Sequence, residues 1–400
     1  MTAEIEHRMA ATSPRAPLAA LALAALGACA SPPDPCADVT VTLAEPTVRL
    51  RAWLPTDVPS ARRDVVVSPA SCAVEVSTEA PWLDARLEGT QLVVDGDTSA
   101  SGAGLHTTDV VFTRPGSSAV VATVPVTLSV IVRAPADGEP HALVVGIDGC
   151  RPDGIVAADA PSLDALTALG RSTYTASTQL TAGTISGPGW ASILTGVEAE
   201  DHLVDGNDDL AEVALAAHPT FLRRALDGGL TVDAAPQWIG ILQLLEPEIA
   251  REARAGTAAG VTAEAAELLA TDVDLLFVHL DDVDHAGHDT GFSPTNPDYT
   301  AAIQSVDAHV TTMLDAILAR PTLATERWLV ALTTDHGGSG TGHGALDAEN
   351  RTIFVILADL GGEPAALPAT GVSHMDVAPS VLQHLGVALE PTWGLDGVAR

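Results

Sequence analysis

Two short segments of the sequence combine Asp and His at spacings that suit a bound metal ion. Asp284 and His288 lie four residues apart, which places both side chains on one face of a helical turn. Asp335 and His336 are adjacent, and the glycines that follow them allow the backbone to approach an ion closely. Carboxylate oxygens and imidazole nitrogens are ligands that zinc accepts in proteins. We therefore predict metal binding by these segments.

Two further residues extend this set of ligands. Asp148 ends an apolar run, and His343 lies in the glycine-rich stretch after Asp335 and His336. The six residues would supply oxygen and nitrogen ligands for two divalent ions. The imidazoles favour zinc, and manganese or iron is also compatible with the set. His374 is the alternative to His343 as the sixth ligand. The remaining histidines near these segments are expected behind the ligands or on the surface: His202, His279 and His285.

A third segment, residues 184–196, offers a nucleophile. Ser186 precedes a predicted short helix, so its hydroxyl would lie at the positive end of the helix dipole, where a transferring anion is stabilised. A serine at this position is also a common helix cap. This segment alone is equally consistent with both roles.

The elements that would position these residues alternate between apolar strands and helices from His141 onward. Such alternation predicts an α/β domain with a mostly parallel sheet, in which ligands bind at the carboxyl ends of the strands. Asp and His follow the first three predicted strands. The predicted strands are 142–147, 274–280, 328–333 and 353–358, and the predicted helices are 162–169, 262–270, 299–318 and 376–385.

Residues 39–134 have a different texture, with short β-rich runs broken by turn residues at roughly ten-residue spacing. This pattern predicts an antiparallel sandwich that resembles bacterial immunoglobulin-like modules and acts as a spacer or adhesion module. Residues 135–140 form a Pro- and Gly-containing linker before the α/β domain, which spans 141–400. The predicted strands are 39–43, 47–53, 64–67, 91–94, 107–112 and 120–132.

The composition excludes two broad classes of protein. Hydrophobic residues make up 46% of the chain and charged residues 18%, so intrinsic disorder as the global state is excluded. Asp and Glu number 52 against 19 basic residues, and the formal net charge is −33. Nucleic-acid binding depends on neutralising phosphates, so DNA or RNA is excluded as a partner.

The N-terminus is typical of an export signal. Residues 18–28 form an apolar run of 11, shorter than the roughly 20 that a membrane-spanning helix needs. The sequence before Cys29 resembles a bacterial lipobox, which implies a signal peptide over 1–28, a lipid on Cys29, a tether over 29–38 and attachment to the outer membrane. The alternative is an ordinary cleaved signal peptide. Either reading places the protein outside the cytoplasm.

The other cysteines fit an oxidising compartment. Cys36 and Cys72 lie in the same N-terminal segment and could form a disulfide. Cys150 would then be unpaired. It is read as a buried free thiol rather than a nucleophile, because no His–Asn pair is evident near it.

The motifs of residues 141–400 together resemble the alkaline phosphatase superfamily, in particular its type I phosphodiesterase and nucleotide pyrophosphatase branch. In that branch the nucleophile lies nine residues before a Thr-Gly pair, as Ser186 lies before Thr195, and an Asn follows 21 residues later, as Asn207 does here. Five residues match the family's ligand positions: Asp148, Asp284, His288, Asp335 and His336.

The resemblance implies a two-metal phosphoric ester hydrolase that forms a phosphoseryl intermediate on Ser186. One ion would be held by Asp148, Asp335, His336 and the Ser186 oxygen, and the other by Asp284, His288 and His343. Asn207 and the backbone N–H groups at the helix N-terminus would hold the non-bridging oxygens of a small phosphate ester or pyrophosphate. The metal ions would most readily be zinc, and the oligomeric state stays open.

Three other functions remain as alternatives. A phosphomonoesterase would use the same ligands. A sulfatase of this superfamily carries Cys or Ser, then Pro two residues later and Arg two residues after that. Here Pro188 matches but Trp190 replaces the Arg, which disfavours sulfatase action. A metal-bound but inactive surface binding protein is the third alternative, and the presence of both Ser186 and Asn207 speaks against it.

Overall fold

The computed structural model describes residues 34–400 except 45, 53–57, 102–103, 131–137, 209, 251–255, 361–366 and 369. Several predicted segments lie outside the described residues: the leader 1–28, Cys29, the first half of the tether and the first half of the linker 135–140. Among the helices that are described, none is long and apolar enough to cross a membrane.

The first eight strands form two four-stranded sheets, in the orders β1-β3-β6-β5 and β2-β8-β7-β4. Their side chains alternate between a shared apolar core and solvent, as β3 shows with its regular change of exposure from residue to residue. The strands are β1 (Thr40–Leu43), β2 (Val48–Ala52), β3 (Ser60–Ser68), β4 (Glu75–Ser77), β5 (Leu83–Glu88), β6 (Gln91–Gly96), β7 (Gly104–Thr113) and β8 (Val120–Val130).

This region departs from the predicted antiparallel sandwich in one pairing. β2 runs parallel to β8, with Val48 opposite Val126, whereas the other strand pairs of these two sheets are antiparallel. β4 and β5 were not predicted from the sequence. The structure pairs Cys36 with Cys72 in a disulfide. The immunoglobulin-like assignment of residues 39–134 stays a prediction.

The remaining strands form one six-stranded sheet in the order β10-β14-β13-β9-β12-β11. β13, β9, β12 and β11 are parallel neighbours, and β14 runs antiparallel to both β13 and β10. The mixed α/β architecture predicted for residues 141–400 is therefore confirmed. The strands are β9 (Glu139–Ile147), β10 (Arg171–Ser177), β11 (Val232–Pro236), β12 (Leu275–Leu280), β13 (Glu326–Thr333) and β14 (Thr352–Asp359).

Helices cover both faces of this sheet, so its central strands are apolar on both sides. In β9, Leu143 and Val145 belong to one core and Ala142 and Val144 to the other. The helices are α1 (Thr98–Ser101), α2 (Pro152–Ala157), α3 (Pro161–Leu169), α4 (Ser186–Thr195), α5 (Ala199–His202), α6 (Phe221–Asp227), α7 (Pro247–Ala250), α8 (Ala258–Leu269), α9 (Asp282–Thr290), α10 (Pro297–Leu318), α11 (Ala348–Arg351) and α12 (Val377–His384).

Cys150 lies just after β9 and is a buried free cysteine, as predicted. Burial raises the pKa of its thiol, so the sulfur stays protonated. A protonated thiol is a weak nucleophile. The prediction of a structural rather than a catalytic role fits this environment.

Candidate active site

Three neighbouring strands bring the predicted ligands to one edge of the sheet. In the parallel register, Gly146 of β9 lies between His279 of β12 and Thr333 of β13. The three strands therefore end side by side. The residues that follow them, among them Asp148 and Asp335, meet at the carboxyl edge of the sheet, where α/β proteins bind their ligands.

One ligand cluster joins α9 to the glycine-rich loop after β13. His288 Nε2 lies 3.3 Å from Asp284 Oδ2 and 3.0 Å from His343 Nε2. The Nδ1 atoms of the two imidazoles donate to backbone carbonyls, at 3.0 Å for Thr341 and 2.8 Å for Thr184. In neutral rings these bonds leave both Nε2 atoms as acceptors, and two acceptors at this distance need a cation or a proton between them.

A second cluster lies beside the first. His336 Nε2 is 3.2 Å from Asp335 Oδ2, 3.6 Å from Asp148 Oδ1 and 3.3 Å from Ser186 Oγ. The Nδ1 atom of His336 donates to the Gly337 carbonyl at 2.8 Å, so Nε2 again presents its lone pair to the cluster. The predicted nucleophile and three predicted ligands are thus buried together in one cluster.

The carboxylates of these clusters are the feature that best fits bound cations. Asp148 Oδ1, Asp284 Oδ1 and Asp335 Oδ2 are buried and have no hydrogen-bond partner in the described part of the chain. A buried carboxylate oxygen without a partner is costly. A divalent cation would give all three oxygens a partner, and the donor set of carboxylates and imidazoles is the one that zinc accepts.

The burial of these clusters also shifts the pKa values of their side chains. Burial, reinforced by the charge of Asp335, raises the pKa of Asp148 to about 8. Burial, reinforced by Asp148 and Asp281, raises the pKa of Asp284 to about 9. Burial lowers the pKa of His343 to about 3, with His336 adding to the shift. Protons therefore compete with a cation for the carboxylates, whereas the imidazole stays neutral and ready to bind.

Ser186 is the first residue of α4, and the structure argues against its predicted alternative role as a cap. The N-cap residue is Ile185, whose own side chain makes no capping hydrogen bond. The Gly187 N–H donates to Asn207 Oδ1 at 2.7 Å, which directs the Asn207 amide nitrogen away from the helix. A Cβ at Gly187 would lie 2.4 Å from the Gly206 carbonyl oxygen, so only glycine permits this approach.

These contacts narrow one expectation about the helix N-terminus. The backbone N–H groups were expected to hold the phosphate oxygens together with Asn207. The Gly187 N–H is instead given to Asn207, Pro188 has none, and the Gly189 N–H donates to the Ile185 carbonyl. Asn207 therefore takes up one of the backbone donors at this helix end, and the expectation now concerns the Ser186 N–H.

The structure places the other candidate histidines outside the two clusters. His374 is buried, but its Nε2 accepts the Gln179 N–H at 3.0 Å. His202 is buried against Ser192, and His285 is exposed beside Asp281. Among the described residues, His343 rather than His374 lies in the cluster of Asp284 and His288, where it contacts both other members.

Two core residues contact the carboxylate of Asp148, and only Trp190 was not expected there, because His279 was expected behind the ligands or on the surface. Trp190 Nε1 donates to Asp148 Oδ2 at 2.8 Å, and His279 Nε2 lies 3.2 Å from the same oxygen. His279 is fully buried behind Asp148, which is one of the two places expected for it. No sequence signal distinguished Trp190 from an ordinary core residue of α4.

A comparison with family models gives a match to the type I phosphodiesterase / nucleotide pyrophosphatase family over residues 142–261 and 216–352. The chain belongs to this family. It is accordingly a metal-dependent hydrolase of the alkaline phosphatase superfamily, as its motifs predicted. No curated protein sequence matches the chain.

Solved structures share the fold of this family member at low sequence identity. A 2-O GAG sulfatase has a TM-score of 0.53 and 12% identity, over 65% of this chain and 73% of its own. Murine ectonucleotide pyrophosphatase / phosphodiesterase 5, an inactive variant in complex with AMP, has a TM-score of 0.50 and 13% identity. That match covers 63% of this chain and 96% of the murine one.

Proposed function

We propose that this family member is a two-metal phosphodiesterase or nucleotide pyrophosphatase that acts through Ser186. The observation that carries the proposal is the position of the Ser186 hydroxyl, 3.3 Å from His336 Nε2 at the edge of two adjoining ligand clusters. The family match supports phosphate-ester chemistry on small substrates such as nucleotides.

The ligand sets follow the clusters. Asp148, Asp335, His336 and the Ser186 oxygen would hold one ion, and Asp284, His288 and His343 would hold the other. When bound, two zinc ions would neutralise the charge that develops on the attacking and leaving oxygens of an in-line displacement.

The chain's own residues then carry two successive displacements. Ser186 Oγ loses its proton and attacks phosphorus. The new Oγ–P bond forms as the bond from phosphorus to the leaving oxygen breaks, and the product alcohol or phosphate departs with a proton. Water then attacks the phosphoserine, the Oγ–P bond breaks, and the Ser186 hydroxyl is restored.

Asn207 would stabilise the transition state. Its Oδ1 is fixed by the Gly187 N–H, so its amide N–H groups are oriented to donate to a non-bridging phosphate oxygen. A neutral amide suits the single charge of a phosphodiester better than the double charge of a monoester. This difference supports diesters and pyrophosphates over monoesters.

The test is hydrolysis of three p-nitrophenyl compounds by the purified protein from Ala30 onward, with zinc content measured in parallel. We expect bis-p-nitrophenyl phosphate to be turned over faster than p-nitrophenyl phosphate, p-nitrophenyl sulfate to be resistant, and Ser186→Ala to lose turnover while it keeps its zinc. Ser192→Ala is the matched control on the same helix and should stay active.

The alternatives are separated by the same panel. A preference for the monoester would make the protein a phosphomonoesterase, and turnover of the sulfate would make it a sulfatase. Zinc binding without turnover of any compound would support an inactive scaffold. Full activity in Ser186→Ala would show that the nucleophile has been misassigned.

We also propose that the mature protein is attached to the outer membrane through a lipid on Cys29. The support is the sequence before Cys29, which resembles a lipobox. Mass spectrometry of the N-terminal peptide from the membrane fraction should show acylation at Cys29. Cys29→Ser should release the protein from membranes, and a Cys29→Ser variant that stays on the membrane would contradict the proposal.

A further inference from the structure

The two carboxylate oxygens of Asp148 have opposite environments. Oδ2 faces the sheet interior and lies 2.8 Å from Trp190 Nε1 and 3.2 Å from His279 Nε2. Oδ1 faces Asp335 and His336 and has no partner among the described residues. Both Trp190 and His279 are fully buried. Asp148 is therefore fixed by two contacts at Oδ2, whereas its Oδ1 is left to bind a cation.

The tautomer of His279 follows from its second ring nitrogen. The Trp238 backbone N–H points to His279 Nδ1 at 3.4 Å, so Nδ1 accepts. A neutral imidazole that accepts at Nδ1 carries its proton at Nε2. His279 Nε2–H therefore donates to Asp148 Oδ2. Two N–H donors then share one carboxylate oxygen and compete with any cation for its lone pairs.

The path of Trp190 to Asp148 depends on the absence of a side chain at Gly146. A Cβ at Gly146 would lie 2.3 Å from Trp190 Cη2. The indole therefore packs directly on the β9 backbone two residues before Asp148. Its ring also packs edge-on against His279, with 4.8 Å between centroids. The two donors are fixed by each other and by the central strand.

We propose that Trp190 and His279 are positioning residues that restrict Asp148 to binding its metal ion through Oδ1 alone. The proposal rests on the proposed two-metal site and adds to it the residues that set the binding mode of one ligand. Partners of metal ligands commonly contribute 10- to 100-fold to metal affinity. Because both donors lie on the far side of Asp148, only the cluster of Asp148, Asp335 and His336 should depend on them.

The number of zinc ions bound per chain distinguishes this positioning role from a role of His279 as a metal ligand. Ligand atoms of Asp148, His279 and Asp281 lie within 4.8 Å of one another, so His279 could instead be a ligand of a third ion. In that case the protein would bind three zinc ions and lose one on removal of the His279 imidazole. The positioning role predicts two zinc ions in the wild-type protein and retention of both at saturating zinc in every His279 variant.

The experiment measures the zinc affinity of each cluster separately, by competition with a chromophoric chelator. His343→Ala weakens the Asp284 cluster and leaves the Asp148 cluster to be titrated, and Asp335→Ala does the reverse. Trp190→Phe keeps an aromatic side chain, smaller than the indole, but removes the N–H donor. In the His343→Ala background it should raise the zinc dissociation constant about 10- to 100-fold. In the Asp335→Ala background it should have little effect.

Two substitutions at His279 test whether an N–H donor at this position is enough to maintain the zinc affinity. His279→Leu should weaken the same cluster as Trp190→Phe. His279→Gln can place an N–H donor near the position of Nε2 and should restore most of the affinity. Trp238→Phe is the control, because its ring lies near His279 but its indole N–H does not reach Asp148. It should leave both dissociation constants unchanged.

The results distinguish a failure of the positioning role from a failure of the proposed two-metal function. Unchanged affinity in Trp190→Phe, or equal weakening of both clusters, would overturn the positioning role while the two-metal site stands. Binding of three zinc ions would assign His279 as a ligand and would likewise overturn it. A wild-type protein that binds no zinc would overturn the proposed function and this inference together.

Discussion

Without its metal ions, the protein should lose stability steeply as the pH rises from about 7 to about 8. Burial raises the folded-state pKa of Asp148 to about 8 and of Asp284 to about 9, against the ordinary value of 3.8. The folded apoprotein therefore keeps protons that the unfolded chain has already released. Stability is present below the ordinary pKa and is lost as pH rises through the folded-state pKa.

The size of the effect follows from the number of protons. Each proton held in excess by the folded state makes the free energy of unfolding fall by about 1.4 kcal/mol per pH unit. Asp148 and Asp284 together therefore contribute a loss of about 2 to 3 kcal/mol over this window. Burial also raises the pKa of Asp335 well above its ordinary value, which adds to the loss. Burial lowers the pKa of His279 to about 4 and of His343 to about 3 from 6.5, so these imidazoles affect stability only at lower pH.

Urea unfolding of the protein with EDTA or with zinc is the assay, at about pH 7, 7.5 and 8. We expect the loss with EDTA and a nearly flat profile with zinc, because bound cations keep the carboxylates ionised in the folded state. The double variant Asp148→Asn/Asp284→Asn is the matched control and should show a smaller slope with EDTA, because burial still raises the pKa of Asp335. Apoprotein stability that is flat or rises over this window would refute the reasoning.

Three further predictions concern single side chains. Asn207→Ala removes the amide that would face the phosphate, and kcat should fall about 10²- to 10³-fold in steady-state kinetics; a change in KM alone would contradict this. Leu203 has a φ of 67°, a backbone conformation that glycine adopts more readily than leucine. Leu203→Gly should therefore raise the free energy of unfolding by about 1 kcal/mol or less, seen as a higher urea midpoint, and a lower midpoint would contradict this. Arg320 pairs with buried Glu326 at 2.7 Å, so Arg320→Met should cost about 3 to 5 kcal/mol in urea unfolding, and a neutral effect would contradict it.

The strands that carry the ligands were predictable because each is a buried apolar run followed at once by Asp or His. β9, β12 and β13 begin or end within a few residues of their predicted bounds. β10 was missed because four of its seven residues are Ser or Thr and most of its side chains are only half-buried. β11 was missed because it is short and ends in Pro236.

The ligand set of the candidate site was predicted more completely than its surroundings. Spacing along the chain indicates which Asp and His can bind together. It does not indicate which core residues lie behind them. Trp190 reaches Asp148 because its indole packs on the backbone at Gly146, and that contact depends on tertiary packing. The parallel pairing of β2 with β8 has the same origin, because strand direction depends on the path of the intervening chain.

Trapping of the covalent intermediate tests the central claim most directly. The enzyme would be mixed with excess bis-p-nitrophenyl phosphate, quenched in acid during turnover, digested and examined by mass spectrometry. The account predicts a p-nitrophenyl phosphate adduct on the peptide that contains Ser186, and no adduct in Ser186→Ala. An adduct on another residue, or Ser186→Ala turnover at the wild-type rate, would contradict it.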